Sequence, residues 1–193
     1  MLLPARPTAA LLLAALLSAA GPARSEDFTP RKQALLLLRV LVYDRNLKSR
    51  AGGVVRVAVV FRPGDRGSEQ RRDELVTALE EVSREVIAAG LPVQVLAVPY
   101  HDAADFEVRL GQAAPACAFV CTCLGPMVKD VARATRRHAV LSMSGSKELV
   151  EGGLAIGLVN RGQRAGVVVN LRAARSEGAD LDAALLGIAE VIP

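Results

Sequence analysis

The sequence is poor in aromatic residues: its 193 residues include no tryptophan, two tyrosines and four phenylalanines. Proteins that bind nucleic acids usually place aromatic side chains among basic residues so that bases can stack on them. The formal net charge of +4 comes with twenty arginines, four lysines and abundant alanine and glycine, a composition typical of GC-rich coding. We therefore expect no nucleic-acid partner, and the basic charge alone indicates no class of partner.

Long uncharged apolar segments are also missing after the first twenty residues, which excludes a polytopic membrane protein. Residues 1–23 are typical of a secretory signal peptide, because an arginine precedes a short apolar stretch and small residues follow it. We expect cleavage after Ala20 or Ala23 and export to a bacterial periplasm, with residues 24–193 forming one domain. The alternative is an uncleaved anchor, although the apolar stretch is shorter than the roughly 20 residues that span a bilayer.

Cysteine is scarce, and all three cysteines lie in one apolar segment, at Cys117, Cys121 and Cys123. Their odd numbers place them on one face of a predicted strand. Residues two apart on a strand lie about 6.5 to 7 Å apart, at the limit for a disulfide, so we expect buried, unbridged thiols. A zinc site would need His101 or His138 and a second spacing signature, which the sequence lacks. No metal or other cofactor is expected.

The apolar pattern predicts alternating helices and strands over most of the chain. The predicted elements are a helix at 31–47, a strand at 54–61, a helix capped by Ser68 and closed by Gly90 and Pro92, a strand at 93–98, a helix starting at Asp102 or Asp105, the cysteine strand, a helix from Pro126 to Arg137, a strand at 138–143 and a short helix at 147–150. This alternation indicates a mostly parallel sheet with right-handed crossovers.

The pattern changes near the C-terminus, where residues 154–160 and 165–170 are expected to form an antiparallel hairpin. Asn170 is expected to cap a helix that runs through Arg175, with Gly178 as its C-cap. A last helix capped by Asp180 should dock on the sheet through four apolar residues at helical spacing. These four are Leu181, Leu185, Ile188 and Ile192. The fold class is therefore α/β: a single compact domain with a mostly parallel sheet, flanking helices and a C-terminal antiparallel hairpin.

No motif in the sequence defines an active site. Ser144 and Lys147 match a Ser-x-x-Lys pattern, but its companion motifs are absent, so a loop that caps a helix is the better interpretation. The glycine-rich loops lack the residue order that cradles phosphates. His101 has two aspartates nearby, Asp102 and Asp105, but no nucleophile is tied to them by a known motif. We expect no enzymatic activity.

One position is suited to a ligand. The turn around Gly125 joins the carboxyl end of the cysteine strand to a helix, where open α/β sheets often bind ligands. Cys123, Gly125 and Ser144 are therefore the ligand-binding candidates, although Pro126 removes an amide donor and favours a plain turn.

The C-terminal third carries a distinctive signature. It consists of Gly152-Gly153, a strand ending in Val167-Val168-Val169-Asn170-Leu171, Ala173-Ala174-Arg175, Gly178, Leu185-Leu186 and Ala189-Glu190-Val191-Ile192. This signature resembles that of the YfiR-like family of exported bacterial proteins, and the apolar segment 31–47 is similar to the family's opening helix. The resemblance implies a compact α/β fold and, as in the best-understood members, a periplasmic protein that restrains an inner-membrane diguanylate cyclase.

Two positions depart from the family pattern. The aromatic residue that often ends the first helix is replaced by Tyr43-Asp44-Arg45-Asn46, and Val169 stands where an aromatic residue usually precedes the Asn-Leu pair. These departures leave the fold intact and bear on the identity of the partner. The signature residues also have structural roles, so we expect them to specify the fold and not a reaction. They are Gly152, Gly153, Asn170, Arg175 and Gly178.

We therefore expect a regulatory protein that binds an inner-membrane signalling protein and meets the membrane only through it. Four consecutive leucines at 35–38 cannot all face one core across a 3.6-residue period. The partner-binding candidates are Leu35, Leu36, Leu38 and Tyr43. The same residues would alternatively line a homodimer interface. The alternative function is a periplasmic small-molecule or ion-binding protein that feeds a sensor or transporter.

Overall fold

The structure, a computed structural model, describes residues 29–86, 88–161 and 164–192. The expected signal peptide at 1–23 and the middle of the hairpin loop lie outside this range. The helices are α1 Pro30–Leu41, α2 Leu47–Ala51, α3 Arg66–Glu85, α4 Ala103–Ala113, α5 Val128–Arg137, α6 Lys147–Glu151, α7 Leu171–Ser176 and α8 Ala183–Leu186, with a 3₁₀ helix at Thr122–Met127. The strands are β1 Val55–Phe61, β2 Val93–Pro99, β3 Cys117–Val120, β4 Leu141–Ser144, β5 Ile156–Arg161, β6 Arg164–Asn170 and β7 Glu190–Ile192.

The strands form one sheet in the order β2-β1-β3-β4-β5-β6-β7. All neighbouring pairs are parallel except β5 and β6, which form the expected antiparallel hairpin. The predicted α/β fold class is confirmed. Because the chain leaves β1 for β2 on one side and returns to β3 on the other, the strand order reverses between β1 and β3.

Helices cover both faces of the sheet and separate two cores. On β1, Val57 and Val59 belong to the core under α1 and α3, whereas Ala58 and Val60 belong to the core under α4 and α5. Strands buried on both faces read as continuous apolar runs, which explains the sequence pattern of β1 and β3.

The predicted helix at 31–47 begins as expected, but its end is wrong: α1 ends at Leu41, and α2 follows after a turn. The cause is the buried carboxylate of Asp44. Its Oδ1 accepts hydrogen bonds from the backbone amides of Asn46 at 3.0 Å and Asp180 at 2.9 Å, and its Oδ2 pairs with the guanidinium of Arg50. A side chain that binds backbone groups in this way competes with a continuing helix.

The cap of α3 is Asp65 and not Ser68. Oδ1 of Asp65 accepts from the amide of Ser68 at 2.9 Å, while the buried Ser68 hydroxyl accepts from the amide of Arg62 at 2.8 Å. The helix ends at Glu85, before the predicted stop at Gly90. Of the two predicted starts for α4, Asp102 is the observed cap; it accepts bonds from the amides of Ala104 and Asp105.

The cysteine strand is shorter than predicted, because β3 ends at Val120 and the chain turns into the 3₁₀ helix. Cys117 and Cys121 belong to the same core, but Cys123 lies in the turn and not on their strand face. Pro126 lies inside the 3₁₀ helix and does not start α5.

The predicted strand at 138–143 begins only at Leu141, because His138 is the C-cap of α5. The predicted last helix is also wrong. Asp182, not Asp180, caps the four-residue α8, and the chain then forms β7 parallel to β6. Ile188 is consequently 74% exposed instead of docking on the sheet.

Candidate functional site

A cleft of about 470 Å³ lies at the carboxyl ends of β3, β4 and β5, beside α3 and the start of α1. It adjoins the point where the strand order reverses, the region in which open α/β sheets bind ligands. We call it the carboxyl-edge cleft. Its lining residues are Thr29, Pro30, Gln33, Arg71, Phe119, Cys121, Thr122, Gly145 and Asn160.

Gln33 is the buried polar group of this cleft. It lies on the first turn of α1, is only 6% exposed and lines the cavity. No residue in the described ranges forms a hydrogen bond with its side-chain amide. Gly145, in the loop after β4, makes room for it, because a Cβ at that position would lie 2.8 Å from Nε2 of Gln33. A residue larger than glycine at position 145 would therefore require the Gln33 amide to shift.

Arg71 is the charged group of the cleft. It lies on the second turn of α3, about half of its side chain is exposed, and its Nη1 lies 3.6 Å from Oε2 of Glu74 on the same helix. Its positive charge also lowers the pKa of the neighbouring Cys121 thiol. Burial nevertheless dominates and raises the pKa of the Cys121 thiol to about 12. The thiol is therefore protonated at neutral pH and is a weak nucleophile.

A smaller pocket of about 380 Å³ shares Arg71, Cys121 and Thr122 with the cleft. Cys123 lines it, and the Cys123 thiol donates to the hydroxyl of Ser68 at 3.0 Å. The residues that frame the pocket follow β1 and β3, so both cavities occupy the carboxyl edge of the sheet.

The ligand candidates from the sequence are only partly at these cavities. Cys123 lines the smaller pocket, but Ser144 is fully buried and its hydroxyl donates to the carbonyl of Val120 at 2.9 Å. Gly125 lies in the 3₁₀ helix and lines neither cavity. Sequence reasoning missed Gln33 and Arg71. Gln33 precedes an apolar run as one of several polar residues, and no local pattern distinguishes Arg71 from its neighbours.

The partner candidates differ in exposure. Leu38 is fully buried in the core and is not available to a partner in the folded chain. Leu35 and Leu36 are partly buried and pack against the same core. Tyr43 is 37% exposed, and the preceding Val42 is 51% exposed, so the apolar surface of this segment is at the end of α1.

The signature residues hold local structure. Oδ1 of Asn170 accepts from the amide of Ala173 at 2.9 Å and caps α7 as expected. Gly178 has a φ of +81°, which favours glycine. A Cβ on Gly152 would lie 2.8 Å from Cγ1 of Val128, so this glycine allows α5 and the end of α6 to approach. Gly153 also has a positive φ, of +121°, which favours glycine. Arg175, in contrast, is exposed.

A buried carboxylate lies in the same signature region. Oε1 of Glu177 accepts from the hydroxyls of Thr135 and Ser142, each at 2.7 Å, and Oε2 accepts from the amide of Ser142 at 2.8 Å. Burial raises the pKa of Glu177 to about 7. The group joins the end of α7 to α5 and β4, a role that the sequence did not reveal.

The described part of the chain contains no group of three histidine, cysteine, aspartate or glutamate residues placed to hold a metal ion. Asp102 and Asp105, considered above with His101, serve α4: Asp102 caps it, and Asp105 pairs with Arg109 on the next turn. Among the helices in the described ranges, none has the length and apolar character needed to cross a membrane.

Comparison of sequences finds one family. The sequence profile of the YfiR/HmsC-like family matches residues 70–190, which is more than half of the chain. No curated protein matches the sequence.

Solved structures share the fold at low sequence identity. A conserved domain protein from Vibrio cholerae has 14% identity and a TM-score of 0.59, with 84% of this chain and 60% of that chain covered. An ABC domain in complex with L-Trp from Streptococcus pneumonia has 12% identity and a TM-score of 0.59, with 85% and 62% covered. CD0873, a substrate binding protein with adhesive properties from Clostridium difficile, has 11% identity and a TM-score of 0.57, with 76% and 57% covered. The chain thus spans less than two thirds of each of these proteins.

Proposed function

Since the chain belongs to the YfiR/HmsC-like family, we propose that it is an exported, non-catalytic regulator that binds and restrains a membrane-bound signalling enzyme. The family match carries this proposal, because it extends from within α3 to the first residue of β7 and includes the C-terminal signature as far as Glu190. The resemblance names a diguanylate cyclase as the first partner to test. Contact with the membrane is then indirect, through that partner.

Export is the first part of the proposal. It rests on the arginine, short apolar stretch and small residues of segment 1–23. Intact-mass measurement of the protein from a periplasmic fraction should give a chain that begins near Gly21 or Arg24. Recovery of only the full-length chain, and only in membranes, would contradict export.

The partner surface is proposed at the exposed end of α1. Val42 and Tyr43 expose apolar area there, and hydrogen bonds join this turn to the C-terminal segment: the carbonyl of Tyr43 accepts from the amide of Asp182 at 2.8 Å. That segment continues through α8 to the exposed Ile188. Exposed apolar side chains of this size are typical of protein contacts when they lie close together on a surface.

Capture of the signalling protein tests this surface. Tyr43→Asp and Ile188→Asp should greatly reduce capture of the cognate cyclase from detergent extracts. Val108→Asp is the matched control, because Val108 is 59% exposed and lies on α4, outside both segments. Circular dichroism should show that all three variants fold. Equal capture by the three variants would contradict the assignment of the surface, and failure of the wild type to capture a cyclase would contradict the regulatory function.

Binding of a small molecule is the second candidate function. The observation that favours it is the cleft at the carboxyl edge, together with a fold shared with one protein described as a complex with L-Trp and another described as a substrate binding protein. Such likeness shows the fold alone, so the argument for a ligand must come from the residues of the cleft.

A further inference from the structure

We propose that the carboxyl-edge cleft binds a small carboxylate metabolite, whose anionic group pairs with Arg71 and whose polar part hydrogen-bonds to Gln33. The proposal assigns a ligand class and two binding residues. It does not depend on the membrane partner proposed above, because the cleft and the exposed end of α1 are different surfaces.

The first argument is the state of Gln33. Buried polar groups in native proteins are nearly always hydrogen-bonded, and an unpaired one costs free energy. Gln33 as a residue is 6% exposed and lines the cleft, and its amide forms no hydrogen bond with a described residue, so the amide reaches the open space of the cleft. A bound polar molecule would satisfy it, since the amide offers both a donor and an acceptor.

The second argument is charge. Arg71 is the one charged residue among the lining residues whose side chains the structure describes. Nη1 of Arg71 lies 3.6 Å from Oε2 of Glu74, and about half of the Arg71 side chain is exposed. This long contact leaves N–H donors of the guanidinium for another anion. A planar guanidinium suits the two oxygens of a carboxylate. A phosphate site would usually offer further cationic groups or a nest of backbone amides.

The third argument is size and lining. A volume of about 470 Å³ lies within the range of small-molecule sites, which is about 300 to 1,000 Å³. Thr122 and Asn160 add polar groups, and Phe119 adds an aromatic one. This combination of apolar wall and a few convergent polar groups fits a metabolite of amino-acid size.

Thermal unfolding of the mature protein tests the proposal. The probes are the proteinogenic amino acids, succinate, malate, citrate and inorganic phosphate, each in millimolar amounts. A ligand that binds only the folded state raises Tm, and we expect at least one carboxylate probe to raise it by about 2 °C or more. Arg71→Ala and Thr122→Val should reduce that shift. Arg84→Ala should retain it, because this exposed arginine lies near the other end of α3 and controls for the change in net charge.

Gln33→Met separates a binding role from a structural one. Methionine keeps the length of the side chain and removes the unpaired amide, so the variant should lose the ligand shift while its unliganded Tm stays the same or rises. A structural role would instead lower the unliganded Tm.

Three outcomes would overturn the proposal. They are no shift by any probe, a shift by inorganic phosphate alone, and a carboxylate shift that Arg71→Ala and Gln33→Met both retain. None of them affects capture of the cyclase through Tyr43, so the fate of the regulatory function is judged separately.

Discussion

The carboxylate of Glu177 accepts a hydrogen bond of 2.7 Å from the hydroxyl of Ser142 in the interior of the protein. The same hydroxyl accepts from the amide of Ala155 at 2.9 Å, so the contact links the C-terminal segment, β4 and the chain leading into β5. Buried polar networks of this kind stabilise one arrangement of the elements when every member is satisfied. The C-terminal signature is therefore held to the sheet by polar contacts as well as by packing.

This network predicts a pH dependence of stability. The pKa of Glu177 rises from its ordinary value of 4.5 to about 7 on burial, so the folded chain holds the proton more tightly than the unfolded chain. The stabilising contribution is fully present below about pH 4.5 and is lost as the pH rises through about 7. We expect the stability of the wild type relative to Glu177→Gln to fall by at most about 1.4 kcal/mol per pH unit in this window. Urea unfolding of both proteins across the window measures it, and parallel pH profiles would contradict it.

The buried ion pair of Asp44 and Arg50 should contribute strongly to folding. The side chain of Asp44 is fully buried and that of Arg50 is 11% exposed, and Arg50 also donates to the carbonyl of Ala116 at 2.7 Å. Arg50→Ala leaves a buried carboxylate without its charge partner and should cost about 3–5 kcal/mol of unfolding free energy. Arg45→Ala is the control, because its pair with Asp182 is exposed and should cost less than about 1 kcal/mol. Similar losses in the two variants would contradict the account.

Asn170→Ala should destabilise the protein by about 1 kcal/mol through loss of the α7 cap. Asn170→Asp keeps an acceptor at the cap and should lose less. Denaturant unfolding gives both values. If Asn170→Ala retains full stability but no longer captures the partner, Asn170 is a contact residue and not a cap.

The three thiols should react in two classes. Cys117 and Cys121 are buried, and burial raises the pKa of each to about 12, whereas Cys123 is partly exposed in the 3₁₀ helix. In the native protein a thiol reagent should therefore modify Cys123 first, and the other two should react only after unfolding. Cys123→Ser should remove the early phase. Rapid modification of all three native thiols would show that the β3 region is more open than described.

Local signals predicted the elements that depend on local chemistry. The apolar run of β1, the β5–β6 hairpin and the Asn170 cap all agree with the structure. Each is decided by residues within a few positions of one another, and such signals are present in a single sequence.

Errors arose where distant contacts decide the structure. The end of α1 depends on Asp44 binding the amide of Asp180, which no local pattern shows. The last segment forms β7 because β6 offers it a partner, although its apolar spacing also fits a helix. The role of Gln33 in the cleft was missed for the same reason, since Gln33 meets Gly145 only after α1 packs across the ends of the strands.

Cyclic di-GMP in cells of the native host tests the central claim most directly. If the protein restrains a diguanylate cyclase from the periplasm, deletion of its gene should raise the cyclic di-GMP level. The wild-type gene and Val108→Asp should restore the low level, and Tyr43→Asp should not. An unchanged level after deletion, with sensor output also unchanged, would contradict the regulatory account.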